Sequence, residues 1–467
     1  MIVRRIVAFV LLLAASAVLI AGSQVLVRSD APPPEVAAQA PAAPPEPPPK
    51  PHKAQAQVAA VSRIVERLRG LRFKRDVALR MGTREDVEKL VLAELEKEWP
   101  PEKLRADERT FKIVGLLPET YDLQSELVAI YREQAAGLYD QKTDTMLLVD
   151  HPAMKGLTRT LLAHELTHAL QDQHFDLTKL IARCSDTLDG EFVLLSLLEG
   201  EATHVMMAYF LEKGPDDPKT NMGKIQEEAM RSSKRLLSAP PWVQHRFLSP
   251  YFDGLAFITH FRKDGWERVN RIYDDLPLSA EQVLHPRKYY PRRDFPKRID
   301  LVNPVVVGGR AKGPWRRCSD TTLGEIGVIA LVETWGKLLG DATLTGSARK
   351  VAGGWDGDRL VRYEDATGGD RTIVFFVTTW DTPEDAAEMH DACRKWAVHW
   401  AASAKAPPLR RGITVARPER DGRPGLDVIC VLTETPTGST GPLEAVPAYT
   451  RTVVRTLGKR TSGKDRP

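Results

Sequence analysis

Apolar residues return at every third or fourth position over long stretches of this chain, the spacing of helices with one buried side. Helical spacing begins at residues 61–71 and recurs at 85–99, where Pro100 and Pro101 read as a stop, and at 123–133. Residues 136–149 alternate instead, with polar turn residues in the middle, and read as a β-hairpin. Residues 158–173 and 192–213 are apolar on nearly every side, as buried helices are. Further helices are predicted at 224–237, 251–264, 265–273 and 322–339.

From residue 348 the pattern shortens. Strands are predicted at 360–364 and 372–377, then a helix to about Trp400 with Thr382 as N-cap and Pro383 in its first position. Strands at 412–416 and 426–432 follow. The fold class is therefore α+β. A largely helical domain with a small sheet occupies residues 59–345, and a small α+β unit of strand-strand-helix-strand-strand order occupies 346–458. A basic tail, 459–467, ends the chain.

The N-terminus does not follow this pattern. Arg4 and Arg5 precede a charge-free, mostly apolar run from Ile6 to Gly22, the charge and hydropathy order of an export signal. The small residues Ala15-Ser16-Ala17 lie inside the run, so residues 1–28 read either as a cleaved signal or as an uncleaved membrane anchor. Residues 29–58 are rich in Pro and Ala and lack large apolar side chains, the composition of an extended linker. The chain is thus expected to be exported, and either held to the membrane facing the periplasm or cell exterior, or secreted. Its net charge of +4 is small against 66 basic and 62 acidic residues and gives no reason to expect nucleic acid. The four cysteines match no zinc-knuckle spacing. Export permits the pairs Cys184–Cys318 and Cys393–Cys430, with free thiols as the alternative.

The chemistry concentrates in His164-Glu165-Leu166-Thr167-His168. Residues i and i+4 share a helix face, so both imidazoles reach one metal ion, while Glu165 projects about 100° away toward a metal-bound water. A hydrolytic zinc site needs a third protein ligand. The run 192–210 carries only two carboxylates, Glu199 and Glu201, on a mostly apolar helix where an unpaired charge is costly. Gly200 between them would permit close approach of another backbone.

His164-Glu165-x-x-His168 followed by Glu199-Gly200-Glu201-Ala202 resembles the gluzincin group of zinc metallopeptidases. The resemblance implies a zincin-like catalytic domain, Zn²⁺ held by His164, His168 and Glu199, and Glu165 as general base, with Glu201 as fallback ligand or supporting residue. It also implies an oxyanion donor from a later segment, for which His285 is the candidate. Asp172, one turn after His168, is expected to orient a ligand or cap a loop. In zincins an edge strand near this helix pairs with extended substrate, a role open to the 136–149 hairpin alongside an ordinary structural one. The segments 169–177, 281–286, 353–359 and 380–386 also resemble a poorly characterised group of secreted or surface prokaryotic proteins known mainly by a metallopeptidase motif. The implied partner is a protein or peptide substrate. A separate reading is an envelope-anchored binding or assembly factor whose zinc is structural.

Overall fold

A computed structural model of the chain describes residues 53–134, 137–140, 145–149, 157–301, 315–366, 370–402, 409–420 and 423–436. The expected export segment, most of the linker and the basic tail lie outside these residues. Among the described residues, no helix is long and apolar enough to cross a membrane.

The helical part begins with α1 (Lys53–Arg69), β1 (Ala78–Gly82), α2 (Arg84–Glu98), α3 (Pro101–Val114), α4 (Leu123–Gln134), β2 (Gly137–Asp140) and β3 (Thr145–Val149). Next come α5 (Thr158–His174), α6 (Leu177–Cys184), α7 (Leu188–Lys213), α8 (Met222–Ser232), α9 (Lys234–Ser238), α10 (Pro241–Arg262), α11 (Trp266–Asp274), α12 (Ala280–Leu284) and α13 (Pro286–Tyr289). The rest comprises β4 (Trp315–Thr321), α14 (Gly324–Leu339), α15 (Ala342–Gly346), α16 (Ala348–Ala352), β5 (Trp355–Asp365), β6 (Thr372–Trp380), α17 (Pro383–Ala402), β7 (Leu409–Ala416), the two-residue strands β8 (Glu419–Arg420) and β9 (Arg423–Pro424), and β10 (Asp427–Pro436). The α+β class read from the sequence is borne out.

Five expectations change. The first described helix starts at Lys53, ahead of the expected domain start at 59, because Val58, Val61 and Val65 recur at helical spacing and pack in one cluster with Leu162, Leu166 and Leu170 of α5. The Pro100-Pro101 pair ends one helix but also starts another, since Pro at the first helical position lacks only an N–H that has no partner there. The helix expected at 251–264 runs from Pro241 straight through Pro250, and the one expected at 224–237 divides at Ser233. Finally, β4 lies ahead of the expected boundary at 345 yet pairs with β5, so the C-terminal sheet draws in residues 315–321.

The hairpin forms as read, with Tyr139 opposite Met146, but β3 is not its free edge: β1 pairs with β3 in parallel on the other side. The larger sheet has the order β4-β5-β6-β10-β7 and is antiparallel throughout. Side chains alternate across it. Leu360, Val374, Phe376, Val428 and Leu432 join the main core, with Trp396 of α17 and Trp335 of α14, while Val361, Phe375, Val377, Ile429 and Val431 form a second cluster on the other face. The main core runs without interruption from α3 and α4 through α7 and α10 to this sheet, so the two expected domains share one interior.

No disulfide is present: all four cysteines are free. The Cys318 thiol donates to Glu364 across the β4–β5 pair at 3.2 Å, and Cys184 ends α6. Cys393 and Cys430 are buried, which pushes both thiols up, Cys430 to about 12.

Candidate metal centre

Three helices supply the site. α5 is apolar around most of its surface, and His164, Glu165 and His168 are all fully buried on it. α7 crosses α5 and brings Glu199, 3% exposed, against both histidines. α10 packs along α7 and contributes Tyr251, whose ring lies stacked on His164 with centroids 6.2 Å apart and planes 15° from parallel. The Tyr251 hydroxyl is hydrogen-bonded to Glu199.

The three ligand-type atoms form a small triangle. His164 Nε2 and His168 Nε2 are 3.0 Å apart, and Glu199 Oε2 lies 3.2 Å from the first and 3.6 Å from the second. Ligands held tetrahedrally about zinc at ordinary Zn–N and Zn–O lengths stand about 3.3 Å from one another. The triangle therefore has the size that a zinc ion requires, and two imidazoles with one carboxylate are a donor set it takes. A second fit comes from Glu165: both its carboxylate oxygens are buried and lack a hydrogen-bond partner, as does His164 Nδ1. A buried carboxyl without a partner is costly to keep. Burial, reinforced by the charge of Glu199, pushes Glu165 well above the usual carboxylate range. Burial also lowers His164, the direction that ligation by a neutral ring favours, while Glu199 is held at about 2 because the two histidines outweigh its desolvation.

His168 is oriented from behind. Its Nδ1 donates to Gln171 Oε1 at 2.8 Å, and the Gln171 amide donates in turn to Leu198 O at 3.0 Å and Tyr273 Oη at 3.1 Å. Glu201 does not face the triangle. It receives Tyr273 Oη–H at 2.8 Å and a two-pronged ion pair from Arg69, with neither charged side chain exposed.

The structure thus gathers His164, Glu165, His168 and Glu199, and leaves His285 out. Its Nε2 faces Glu325 Oε1 at 3.0 Å, which raises the imidazole. The segment that carries it is tied through Ala280 N to Asp189 at the start of α7, roughly 15 Å of helix from Glu199. Tyr251, by contrast, stands at the site, against His164 and Glu199. Asp172 accepts from the Tyr139 hydroxyl of β2 at 3.2 Å. His174 meets the Arg72 carbonyl and His204 meets Thr259, both away from the triangle. Sequence reading missed Gln171 and Tyr251. Gln171 stands three residues after His168, a spacing that places it on the same side of the helix. Nothing near Tyr251 in the chain marks it.

A second group with ligand-type atoms, Glu281, Asp294 and Asp381, already encloses a cation. The Lys288 ammonium lies 2.5, 3.2 and 2.6 Å from their oxygens.

Residues 315–428, from β4 to the start of β10, match the family model of a domain of unknown function, DUF8575. The match covers β4, β5, β6, β7 and α17 but only the first two residues of β10, and it does not reach the metal-type triangle. No curated protein and no solved structure matches the chain.

Proposed function

We propose that this chain is an exported zinc-dependent metallopeptidase, with His164, His168 and Glu199 as zinc ligands. The observation that carries the proposal is the triangle of three buried ligand atoms at zinc spacing, with the unpartnered carboxyl of Glu165 beside it. When bound, zinc lowers the pKa of a coordinated water to about 7 and polarises the scissile carbonyl. Three protein ligands leave one position for that water. Glu165, whose buried carboxyl has no hydrogen-bond partner among the described residues, would accept the water's proton and hand it to the leaving amine. Tyr251 would turn its hydroxyl hydrogen from Glu199 to the oxygen that gains charge. Gln171 keeps His168 in the tautomer with a free Nε2 lone pair. The N-terminal apolar run supports export, with the membrane as a partner if that run stays attached.

One observation favours a second reading, an envelope-anchored binding or assembly factor with a structural zinc. All three histidine and glutamate ligands are buried, and closed sites are typical of structural zinc. The test is zinc analysis of the purified full chain together with hydrolysis of a mixed peptide library. Stoichiometric zinc, turnover, inhibition by a hydroxamate and loss of turnover in Glu165→Gln with zinc retained are expected of the peptidase. Stoichiometric zinc with no turnover and no hydroxamate binding selects the structural reading. Absence of zinc from the folded chain, after zinc is supplied, rejects both.

A further inference from the structure

The metal-type triangle is connected to the first folded helix by an unbroken line of buried polar groups. α1 ends in Arg69, whose guanidinium is fully buried. Its Nε lies 2.6 Å from Glu201 Oε1, and its Nη2 reaches Glu201 Oε2 at 3.2 Å and Asn270 Oδ1 at 2.8 Å. The guanidinium also lies over the ring of Trp266, 4.3 Å from its centroid, and Trp266 Nε1 donates to Leu68 O of α1 at 2.7 Å. From Glu201 the line continues through Tyr273 and Gln171 to His168.

The direction of each hydrogen bond in this line is determined by its neighbour. A carboxylate paired with arginine only accepts. Tyr273 therefore donates to Glu201, which leaves its oxygen lone pair to accept from Gln171. The Gln171 amide nitrogen turns toward Tyr273 and the Leu198 carbonyl, so its oxygen turns toward His168. His168 must then carry its proton on Nδ1, and its Nε2 lone pair faces His164 and Glu199. We infer that Arg69, Glu201, Tyr273 and Gln171 form a positioning relay that sets the tautomer and ring orientation of His168. The inference builds on the reading of His168 as a metal ligand and extends it to four residues outside the motif. It also makes α1 part of the site's support, although α1 lies nearly a hundred residues before the motif helix in the chain.

Tyr273→Phe is the informative variant. The Tyr273 ring is stacked on Phe175 at 3.8 Å and 6°, and phenylalanine keeps that stack while removing only the hydroxyl. Two readouts on the full chain separate the relay from the metal reading. The first is the ¹⁵N shifts of the His168 ring in metal-free protein, assigned with a His168→Gln control. The second is zinc affinity by competition with a chelator. The relay predicts an Nδ1-protonated His168 in the wild type, and a mixed tautomer population in Tyr273→Phe and Gln171→Leu. It also predicts zinc affinity lower by about 10- to 100-fold in both variants, the usual effect of losing a group behind a ligand. Arg69→Lys should retain more affinity than Arg69→Met, because it keeps the charge on Glu201. Wild-type ring shifts and affinity in both Tyr273→Phe and Gln171→Leu, even with a lower melting temperature, would overturn the inference. A wild type that binds no zinc yet shows the tautomer change would uphold the relay and remove the metal reading.

Discussion

Gly200 on α7 and Gly254 on α10 meet backbone to backbone. A Cβ on Gly200 would lie 2.2 Å from the Gly254 carbonyl carbon, and one on Gly254 would lie 2.2 Å from Ser196 O. Glu199 precedes the first glycine by one residue and Tyr251 precedes the second by three, so this crossing holds Glu199 and Tyr251 together. The close approach of another backbone that Gly200 permits in sequence is real, and the partner is α10.

Gly254→Ala should push the two helices apart. The contacts are backbone atoms, which cannot rotate away, so the cost should reach at least the roughly 1–3 kcal/mol typical of overpacked cores. Urea unfolding measures it. Zinc affinity should fall in the same variant, since the separation acts on Glu199. Unchanged stability would mean that the crossing is looser than described.

Glu199 and Glu201 are expected to fail in opposite ways. Glu199→Ala should lose zinc while the metal-free protein remains folded. Glu201→Ala leaves Arg69 buried without its partner, and breaking such a pair costs on the order of 3–5 kcal/mol. Zinc content and denaturant midpoints, taken side by side, check both. Zinc retained in Glu199→Ala and lost in folded Glu201→Ala would exchange their roles.

Metal removal should lower stability reversibly. A ligand that binds only the folded state at a thousand times its Kd contributes about 4 kcal/mol. Dialysis against a chelator should therefore lower the melting temperature, and zinc should restore it in the wild type but not in His164→Ala. An equal response to zinc in both proteins would place the ion elsewhere.

The Lys288 knot supplies a pH dependence away from the metal-type site. Burial raises Glu281 to about 7 even though Lys288 opposes the shift, with Glu325 and Asp381 adding to it. A carboxyl raised in the fold binds more protons there than in the unfolded chain. Its contribution is complete below about pH 4.5 and is lost as pH rises through about 7. Wild-type stability minus that of Glu281→Gln should thus decline across this window. A difference that rises with pH would reverse the assignment.

All four thiols should be found free. Under denaturing, non-reducing conditions each cysteine should take up an alkylating reagent. In the native protein Cys393 and Cys430 should react slowest, because burial both hides them and raises their thiols. Any crosslinked peptide pair in a mass map contradicts this.

Parts of the site were legible because they are local. Helical periodicity places His164 and His168 on one face whatever surrounds them, and the hairpin at Tyr139 and Met146 reads from alternation. Pro101 misled for a local reason too. Proline marks a break only when its missing N–H matters, and it does not at the start of α3; α10 runs on through Pro250 inside a packed core.

Sequence alone determined which residue types stand where a metal chemistry needs them: two histidines one turn apart, a glutamate beside the first, and two carboxylates on a later apolar helix. It did not determine which carboxylate faces the motif helix: apolar neighbours at helical spacing and the resemblance pointed to Glu199, with Glu201 left as fallback. Residues 199 and 201 point about 200° apart around a helix, so they face opposite sides. α7 is buried on all sides, and no polar stripe reveals which side meets α5. Only the tertiary packing settles it: α5 and Tyr251 of α10 meet the Glu199 side, while Arg69 of α1 and Tyr273 of α11 meet the Glu201 side. Those partners lie tens to more than a hundred residues away in the chain, where periodicity carries no information about them.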